Sequence, residues 1–304
     1  MLELLLSTSL GKPSVNRLTR PTTLVYGSGF GSCVDYATGN IYCVGGQLVT
    51  AAYSPVLQRY NIATDTWTNL ASIPESPDRY AIMECIGNFL YYNTGSVTYS
   101  YNITTNVWTK MTPPTYGTVY WQTQSDSFVK DGLIYRVGRD SNNTPPGIIT
   151  SWNVTNNTYA TVYRSESGSL WANNRSAIHG NVVYILGVAP YTTIKRYGFG
   201  QGLLAPIVLP NELSVGLGGF MITHGDWIYF NRGNGYFTGT NNFSTDFYRY
   251  NPVTGVFEQL PNLPQASFNG CAYIVGDLLY LYGGTINVAG TPAPAFFSVV
   301  LPSN

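Results

Sequence analysis

The chain contains 304 residues, of which 44% are apolar and 14% aromatic but only 10% charged. Its 15 basic and 15 acidic residues cancel and form no Lys/Arg cluster, which excludes the electrostatic footprint of a nucleic-acid binder or a membrane-surface anchor. The aromatic content also argues against disorder, because these side chains bury a large apolar area. A chain so rich in Tyr, Thr, Asn, Ser and Gly predicts short strands joined by many turns.

Residues 1–12 precede the repeated part of the chain. Their apolar run, Met1 to Leu6, is too short to span a bilayer, carries Glu3 and lacks the basic flank of a signal peptide. We therefore expect a protein made in a cytosol without a signal peptide and without membrane insertion, which allows later release in a larger particle. Residues 1–12 are interpreted as an N-terminal arm, and residues 13–304 as a single domain.

Four cysteines are spread along the chain without a CxxC pair: Cys33, Cys43, Cys85 and Cys271. This number is too small for the disulfide scaffold of a small secreted domain. We expect free and mostly buried thiols, which agrees with synthesis in a cytosol.

A glycine-led segment recurs six times along the chain. The clearest copies are Gly39–Gly46 (GNIYCVGG) and Gly276–Gly284 (GDLLYLYGG). The leading glycines, 45 to 51 residues apart, are Gly39, Gly87, Gly132, Gly180, Gly225 and Gly276. A glycine next to Asn or Asp supplies the positive φ of a tight hairpin turn. The Tyr, Val, Ile and Leu that follow are typical of a strand buried on both faces.

A second motif recurs downstream of these glycines: an aromatic residue, then Asn, then another aromatic residue seven positions after the first. The aromatic pairs are Tyr60 and Trp67, Tyr101 and Trp108, Trp152 and Tyr159, and Tyr250 and Phe257. The fourth copy is degenerate, with Tyr197 and Leu204 in the corresponding places. The Asn is expected to close an Asx turn, and the second aromatic to pack between sheets. Each repeat thus predicts four strands, a to d, which bury their faces by stacking radially on other repeats.

These motifs resemble the kelch repeat, in which a Gly-Gly doublet follows a buried strand and Tyr-Asn and Trp follow at fixed distance. The resemblance extends over about residues 15 to 301 and is strongest in the first and last repeats, which hold the doublets Gly45-Gly46 and Gly283-Gly284. It implies an all-β fold, a six-bladed kelch-type β-propeller. The doublet is absent from the four middle repeats.

The last repeat supplies only three strands before the chain ends, the third near Phe296–Val300. Residues Val15–Pro21, just before the first blade, resemble the segment Trp67–Pro74 that ends the first blade. We expect this N-terminal segment to form the fourth strand of blade 6 and so to close the ring, because closure removes an exposed sheet edge.

Alternating strand directions sort the connections onto two faces. The short a–b and c–d turns share one face, and the variable b–c loops and d–a connectors share the other, which we call the loop face. Repeat alignment places these residues at the channel mouth on the loop face: Phe30, Arg79, Trp121, Trp171, Arg175 and Phe268. In the long loop of blade 5, we expect Arg232, Tyr236 and Phe237 to contact the ligand. Such residues stack on sugars or clamp an acidic peptide, and the alternative is that the aromatics fill the mouth as core.

Catalytic groups are scarce. The two histidines, His179 and His224, each precede a leading glycine and are interpreted as equivalent turn positions, which argues against a histidine metal site or a Ser-His-Asp arrangement. Glu75, Asp78 and Glu84 surround Arg79 in sequence and are a weak signal of acid–base chemistry near the channel. We expect no catalytic residues, no metal and no cofactor.

Two functions fit these observations best. The first is a non-enzymatic binding or assembly module, because the composition is similar to that of bacteriophage virion and tail proteins. On this hypothesis the propeller is a structural or host-recognition part of a virion that binds a protein or a surface glycan. Residues 1–12 then dock on another virion protein, and oligomers form by attachment to the larger complex.

The alternative is a carbohydrate-active enzyme similar to the kelch sugar-acid epimerases, with Glu75, Arg79 and Glu84 as its candidate residues. The resemblance implies a site within the propeller channel, lined by Arg and Glu. A cellular adaptor is a third hypothesis. The propellers of such adaptors usually follow other domains, and we do not expect another domain within these 304 residues.

Overall fold

A computed structural model describes residues 15–21, 26–47, 53–77, 81–94, 97–112, 126–139, 147–165, 174–187, 191–210, 213, 215–216, 218–233, 243–266, 269–284 and 296–302. These residues form 24 strands, without an α-helix among them, in six four-stranded antiparallel sheets. The sheets are the blades of a six-bladed β-propeller, which confirms the predicted fold class. In the same ranges, no helix has the length and apolar character needed to cross a membrane.

Each blade contains four strands, labelled a to d from the channel outward. Blade 1 contains β2 (Tyr26–Asp35), β3 (Asn40–Gln47), β4 (Gln58–Asn61) and β5 (Thr66–Asn69). Blade 2 contains β6 (Ile82–Ile86), β7 (Phe89–Asn93), β8 (Thr98–Asn102) and β9 (Val107–Met111). Blade 3 contains β10 (Asp126–Lys130), β11 (Leu133–Arg139), β12 (Gly147–Asn153) and β13 (Thr158–Arg164).

The remaining blades follow the same order. Blade 4 contains β14 (Arg175–His179), β15 (Val182–Leu186), β16 (Thr193–Gly198) and β17 (Gly202–Val208). Blade 5 contains β18 (Met221–His224), β19 (Trp227–Asn231), β20 (Phe247–Tyr250) and β21 (Phe257–Leu260). Blade 6 contains β22 (Cys271–Val275), β23 (Leu278–Tyr282), β24 (Phe297–Val300) and, as its strand d, β1 (Val15–Arg17) from the start of the chain.

The ring closes as the sequence predicts. Strand β1 pairs antiparallel with β24, with Val15 opposite Val299 and Arg17 opposite Phe297. The backbone N–H of Leu18 extends this pairing by donating to the carbonyl of Phe296 at 3.0 Å. The predicted N-terminal arm, residues 1–12, lies outside the described residues.

The seven-residue interval of the second motif has a simple structural cause. Its two aromatic residues are cross-strand partners on strands c and d in blades 1, 2, 3 and 5. Their ring centroids lie 5.1, 5.0, 5.2 and 4.5 Å apart in these four blades. Such pairs stabilise the outer half of a sheet beyond their buried area.

The turn chemistry also matches the sequence. All six leading glycines have positive φ, between 56° and 74°, which costs least in a residue without Cβ. The Asn of the second motif accepts backbone N–H bonds from two or three residues ahead, as Asn102 does from Thr104 and Thr105 at 3.0 Å. The Asx turns at Asn61, Asn153 and Asn251 follow the same pattern.

The residue just before strand d fastens blades 1, 2 and 3 to the blade before each. We call these three residues, which all adopt positive φ, the blade clasps: Asp65, Asn106 and Asn157. Each side chain accepts a hydrogen bond from the first aromatic of its own motif, at 2.6 to 3.0 Å. Each also bonds the backbone that follows strand d of the preceding blade, at Thr19, Ala71 and Thr112 respectively. Short polar side chains that tolerate positive φ thus join neighbouring blades.

Candidate functional site

The six a strands surround a central channel with a cavity of about 610 Å³. Because strand a runs from the d–a connector towards the a–b turn, its first residues lie at the loop-face end of the channel. Three ionisable side chains that line the cavity stand on three neighbouring a strands: Glu84 on β6, Asp126 on β10 and Arg175 on β14. They define the candidate site.

Glu84 is a carboxyl group held in its protonated form. Burial raises its pKa to about 8, and the nearby charge of Asp126 adds to this shift. The Ser127 hydroxyl donates to Oε1 of Glu84 at 2.6 Å, which opposes the shift without cancelling it. At neutral pH this side chain therefore carries a proton that it can donate.

Asp126, the first residue of β10, joins blade 3 to blade 4. Its Oδ2 accepts from the backbone N–H of Ser176 at 2.6 Å and from the Ser176 hydroxyl at 3.2 Å. Burial raises the pKa of Asp126, whereas the positive charge of Arg175 and these hydrogen bonds oppose the rise. The carboxyl is thus tied into the wall of the channel.

The guanidinium of Arg175 spans three blades. Its Nε donates to the carbonyl of Gly219 in blade 5 at 2.6 Å, and its Nη2 donates to Oδ1 of Asn269 in blade 6 at 3.1 Å. Its Nη1 donates to the carbonyl of Asn174 at 3.1 Å. Burial lowers the pKa of Arg175 and Asp126 opposes this shift, but a guanidinium keeps its charge in proteins.

Two asparagines beside Arg175 carry unused hydrogen-bonding capacity. Asn269 is only 6% exposed, and among the described residues its Nδ2 has no partner. It also adopts a φ of 58°, an uncommon conformation for a residue other than glycine. Asn174 is fully buried, and neither polar atom of its side chain meets a partner within the described ranges. Buried polar groups without partners are rare and mark places where a ligand or water binds.

A further hydrogen bond joins blade 6 to blade 1 in the channel wall, from the Tyr273 hydroxyl to Oγ of Ser32 at 2.7 Å. Side-chain hydrogen bonds thus join blade 2 to blade 3, blade 3 to blade 4, blade 4 to blades 5 and 6, and blade 6 to blade 1. These fixed polar side chains lie among apolar residues of the channel wall, and their bonds hold them in place.

The residues predicted from the sequence meet different outcomes. Arg175 lines the channel at its loop-face end, where repeat alignment put it. Phe30 lies in β2, opposite Gly45, but its side chain is outside the described part. Arg232 bonds Asp246 at 3.4 Å. Six further predicted residues fall outside the described residues, so their binding role stays a prediction: Arg79, Trp121, Trp171, Tyr236, Phe237 and Phe268.

The expected grouping of acidic residues around Arg79 is only partly present. Glu75 forms an ion pair with Lys110 on β9, the outermost strand of blade 2, whereas Glu84 lies on the innermost strand. The four-stranded sheet separates these two carboxyls, and Asp78 falls outside the described ranges. The carboxyl group whose charge acts on Glu84 is instead that of Asp126 in the next blade, which the sequence reasoning missed.

The histidines lie where the sequence predicts. His179 and His224 end strand a of blades 4 and 5, opposite Val182 and Trp227, next to the a–b turns. Nε2 of His224 lies 3.2 Å from Oδ1 of Asp277 in the next blade. In the part of the chain that is described, no three His, Cys, Asp or Glu side chains are arranged to hold a metal ion.

Comparison with known proteins supports the fold. No family model and no curated protein matches this chain. A solved structure entitled "Structure of YjhT" is similar, with a TM-score of 0.69 and 18% sequence identity, over 91% of this chain and 95% of that chain. At this identity the likeness shows the propeller architecture alone.

Proposed function

We propose that this protein is a non-enzymatic binding module of kelch type, which serves as a structural or host-recognition component of a bacteriophage virion. It binds a surface glycan or a protein through the loop face, including the channel mouth. The observation that carries the proposal is the meeting of Arg175 and Asn269 at that end of the channel, with the buried Nδ2 of Asn269 left unpaired among the described residues.

The unpaired hydrogen-bond donors at the channel mouth indicate which chemical groups the ligand presents. Nδ2 of Asn269 is a donor. Three of the five guanidinium N–H groups of Arg175 are engaged by described residues, and the other two have no partner among those residues. Donors of this kind bind oxygen acceptors, such as the hydroxyl and acetamido oxygens of a glycan or the carbonyl oxygens of a peptide. The rigid, closed ring supports such recognition because its side chains are ordered before the ligand arrives.

The virion setting rests on composition. Only 10% of residues are charged, and Tyr, Thr, Asn, Ser and Gly are abundant. A propeller closed through its own N-terminal strand also leaves few open sheet edges, which suits a part of a crowded assembly.

The test is a glycan-array screen of the purified protein, followed by binding measurements on the Asn269→Asp variant. This change keeps Oδ1 for Arg175 and tolerates positive φ, but it replaces the unpaired donor with an acceptor. We expect affinity for an array ligand to fall by about tenfold or more, since a buried mismatch of this kind costs more than one kcal/mol.

The matched control is Asn106→Asp, because the equivalent clasp in blade 1 is already Asp65. This variant is expected to bind as the unaltered protein does. A glycan whose binding is insensitive to Asn269→Asp would place the site away from the channel mouth. Binding of peptides but of no glycan would identify a protein partner.

A second candidate, a carbohydrate-active enzyme of the sugar-acid epimerase type, is favoured by Glu84. A buried carboxyl group that keeps its proton at neutral pH, beside a second carboxyl on Asp126, is a feature of general acid–base sites. NMR of a sugar-acid panel incubated with the protein tests this candidate. Turnover that the Glu84→Gln variant loses would favour the enzyme, and binding without turnover would favour the binding module.

A further inference from the structure

All four cysteines lie in one sector of the ring. Cys33 and Cys43 stand on β2 and β3 of blade 1, Cys85 on β6 of blade 2, and Cys271 on β22 of blade 6. All are free thiols, and all but Cys85 are buried. They were expected to be free and mostly buried, but the sequence gives no sign that they are neighbours.

Two of these thiols meet across the interface that closes the ring. Cys43 and Cys271 belong to one apolar core between blades 1 and 6, which also contains Tyr280 and Phe296. Cys271 lies close enough to Cys43 to raise the pKa of the Cys43 thiol, and the thiol of Cys271 donates to the carbonyl of Tyr282 at 3.5 Å. Two cysteines packed in one core can form a disulfide when their Cβ atoms come within about 4.5 Å of each other.

The two thiols differ in their access to small molecules. Cys271 is on the innermost strand and lines the channel, so a small reagent in the channel reaches it. Cys43 is one strand further out and is 3% exposed, against 8% for Cys271. Cys271 therefore stands between the channel and Cys43.

We propose that Cys43 and Cys271 are a latent cross-link site, which forms a disulfide between blade 1 and blade 6 when a small disulfide enters the channel. The site goes beyond the proposed binding function and does not depend on it. A protein made in a cytosol and later exposed to an oxidising medium would meet this chemistry only after release.

The reaction proceeds in two exchanges. The Cys271 thiolate attacks one sulfur of the small disulfide, whose S–S bond breaks, and the departing thiolate takes up the proton that Cys271 gave up. The Cys43 thiolate then attacks Sγ of Cys271, and the second small thiol leaves with the proton from Cys43. Two protein thiols are oxidised by two electrons, and the small disulfide is reduced to two thiols.

The second exchange is expected to be slow at neutral pH. Burial raises the pKa of Cys43 well above its usual range, and the neighbouring Cys271 thiol raises it further. The reactive thiolate is therefore scarce. As long as the pH is below the pKa, each increase of one pH unit raises the thiolate concentration about tenfold. The mixed disulfide at Cys271 accumulates first and resolves faster in mild base.

The cross-link reinforces the weakest part of the ring. Strand β1 holds the closure with three residues, all exposed, on β24. A disulfide from Cys43 to Cys271 closes a loop that contains blades 2 to 5 entirely and parts of blades 1 and 6. Cross-links across long loops restrict the unfolded chain most, although strain in the folded state reduces the benefit.

The experiment treats the reduced, full-length protein with hydroxyethyl disulfide at about pH 7 and about pH 8.5, then blocks free thiols and maps peptides by mass spectrometry. We expect a mixed disulfide on Cys271 first and then the Cys43–Cys271 peptide, faster at the higher pH. The cross-linked protein should unfold at a temperature higher by about 5 °C or more, reversed by reduction.

Three variants make the test specific. Cys271→Ser should abolish both products, and Cys43→Ser should stop at the mixed disulfide on Cys271. Cys85→Ser should give the same two products and lose only a separate mixed disulfide on Cys85, which also lines the cavity. A cross-link between Cys33 and Cys85 or between Cys33 and Cys271 would overturn the assignment. So would a mixed disulfide on Cys271 in the unaltered protein that persists at the higher pH without resolving.

Discussion

The outer and inner parts of the blades relate to the repeat in opposite ways. On strands c and d the same contacts recur, as in the cross-strand pair Tyr60–Trp67 and its counterpart Tyr101–Trp108. On strand a the side chains that matter occur once each, as Glu84, Asp126 and Arg175 do. The repeated outer contacts hold blades together, whereas the unrepeated inner residues form the candidate site. Departures from the repeat are thus the better guide to function.

The largest effect that would test this division is loss of the closing strand. Deleting residues 1–22 removes β1, its pairing with β24 and the bonds from Thr19 to Asp65. We expect thermal unfolding, monitored by circular dichroism, to lose its cooperativity, because the edge of β24 in blade 6 is then open. Deleting residues 1–12 should leave the transition unchanged. If deletion of residues 1–22 had no effect on the transition, the outer contacts would not hold the ring.

The next largest effect concerns one repeated aromatic. Trp67 packs on Tyr282 and Phe296 of blade 6, with centroids 5.0 and 5.6 Å away, and its indole N–H donates to the carbonyl of Thr19 at 2.8 Å. Trp67→Ala should lower the free energy of unfolding by about 3 kcal/mol in urea denaturation.

Trp67→Phe is the matched variant, because it keeps a ring against blade 6 and loses only the hydrogen bond and part of the contact. It should cost about 1 kcal/mol. If the alanine variant lost less than about 1 kcal/mol, the contact between blades would not be the role of this residue.

A smaller effect, dependent on pH, distinguishes the inner strand. The pKa of Glu84 is raised from its ordinary 4.5 to about 8, so the folded protein keeps a proton that the unfolded chain releases. The free energy of unfolding therefore falls as pH rises from about 4.5 to about 8, and this group adds no further loss above that range.

Glu84→Gln removes this dependence while keeping an oxygen for the Ser127 hydroxyl. The stability of the variant relative to the unaltered protein should rise by about 4 kcal/mol between pH 5 and pH 8.5, measured by urea denaturation. A constant difference across this range would mean that Glu84 is ionised in the channel at neutral pH.

The smallest effects are expected at the clasps. Asn106→Asp should change the free energy of unfolding by less than about 0.5 kcal/mol, since Asp65 makes the same bonds in blade 1. Asn106→Ala loses the bonds from Tyr101 and Ala71 and places Cβ without a polar group at positive φ, so it should cost about 2 kcal/mol. If Asn106→Asp and Asn106→Ala changed the free energy of unfolding equally, the proposed role of Asn106 as a blade clasp would be contradicted.

The fold was predictable because its signals are local. A leading glycine, an Asx turn and two aromatic residues seven positions apart each act within one hairpin. The glycine recurs in six repeats and the aromatic pair in four. Closure by Val15–Pro21 followed from a missing strand and a similar segment. The candidate site was not predictable to the same extent, because Arg175 and Asn269 meet across 94 residues of sequence, and no spacing indicates that contact. Repeat alignment placed Arg175 near the channel but gave none of its partners.

The pairing of β1 with β24 also bears on where this chain has to begin. Val15 stands opposite Val299, so the two ends of the ring lie side by side on adjacent strands. A short peptide linker would therefore join them, and new termini would be opened in the c–d turn of another blade. Such a circular permutant would keep every strand neighbour and move the closing blade elsewhere in the ring. The position of that blade depends only on where the chain begins and ends along the ring, and the geometry of the channel does not depend on it.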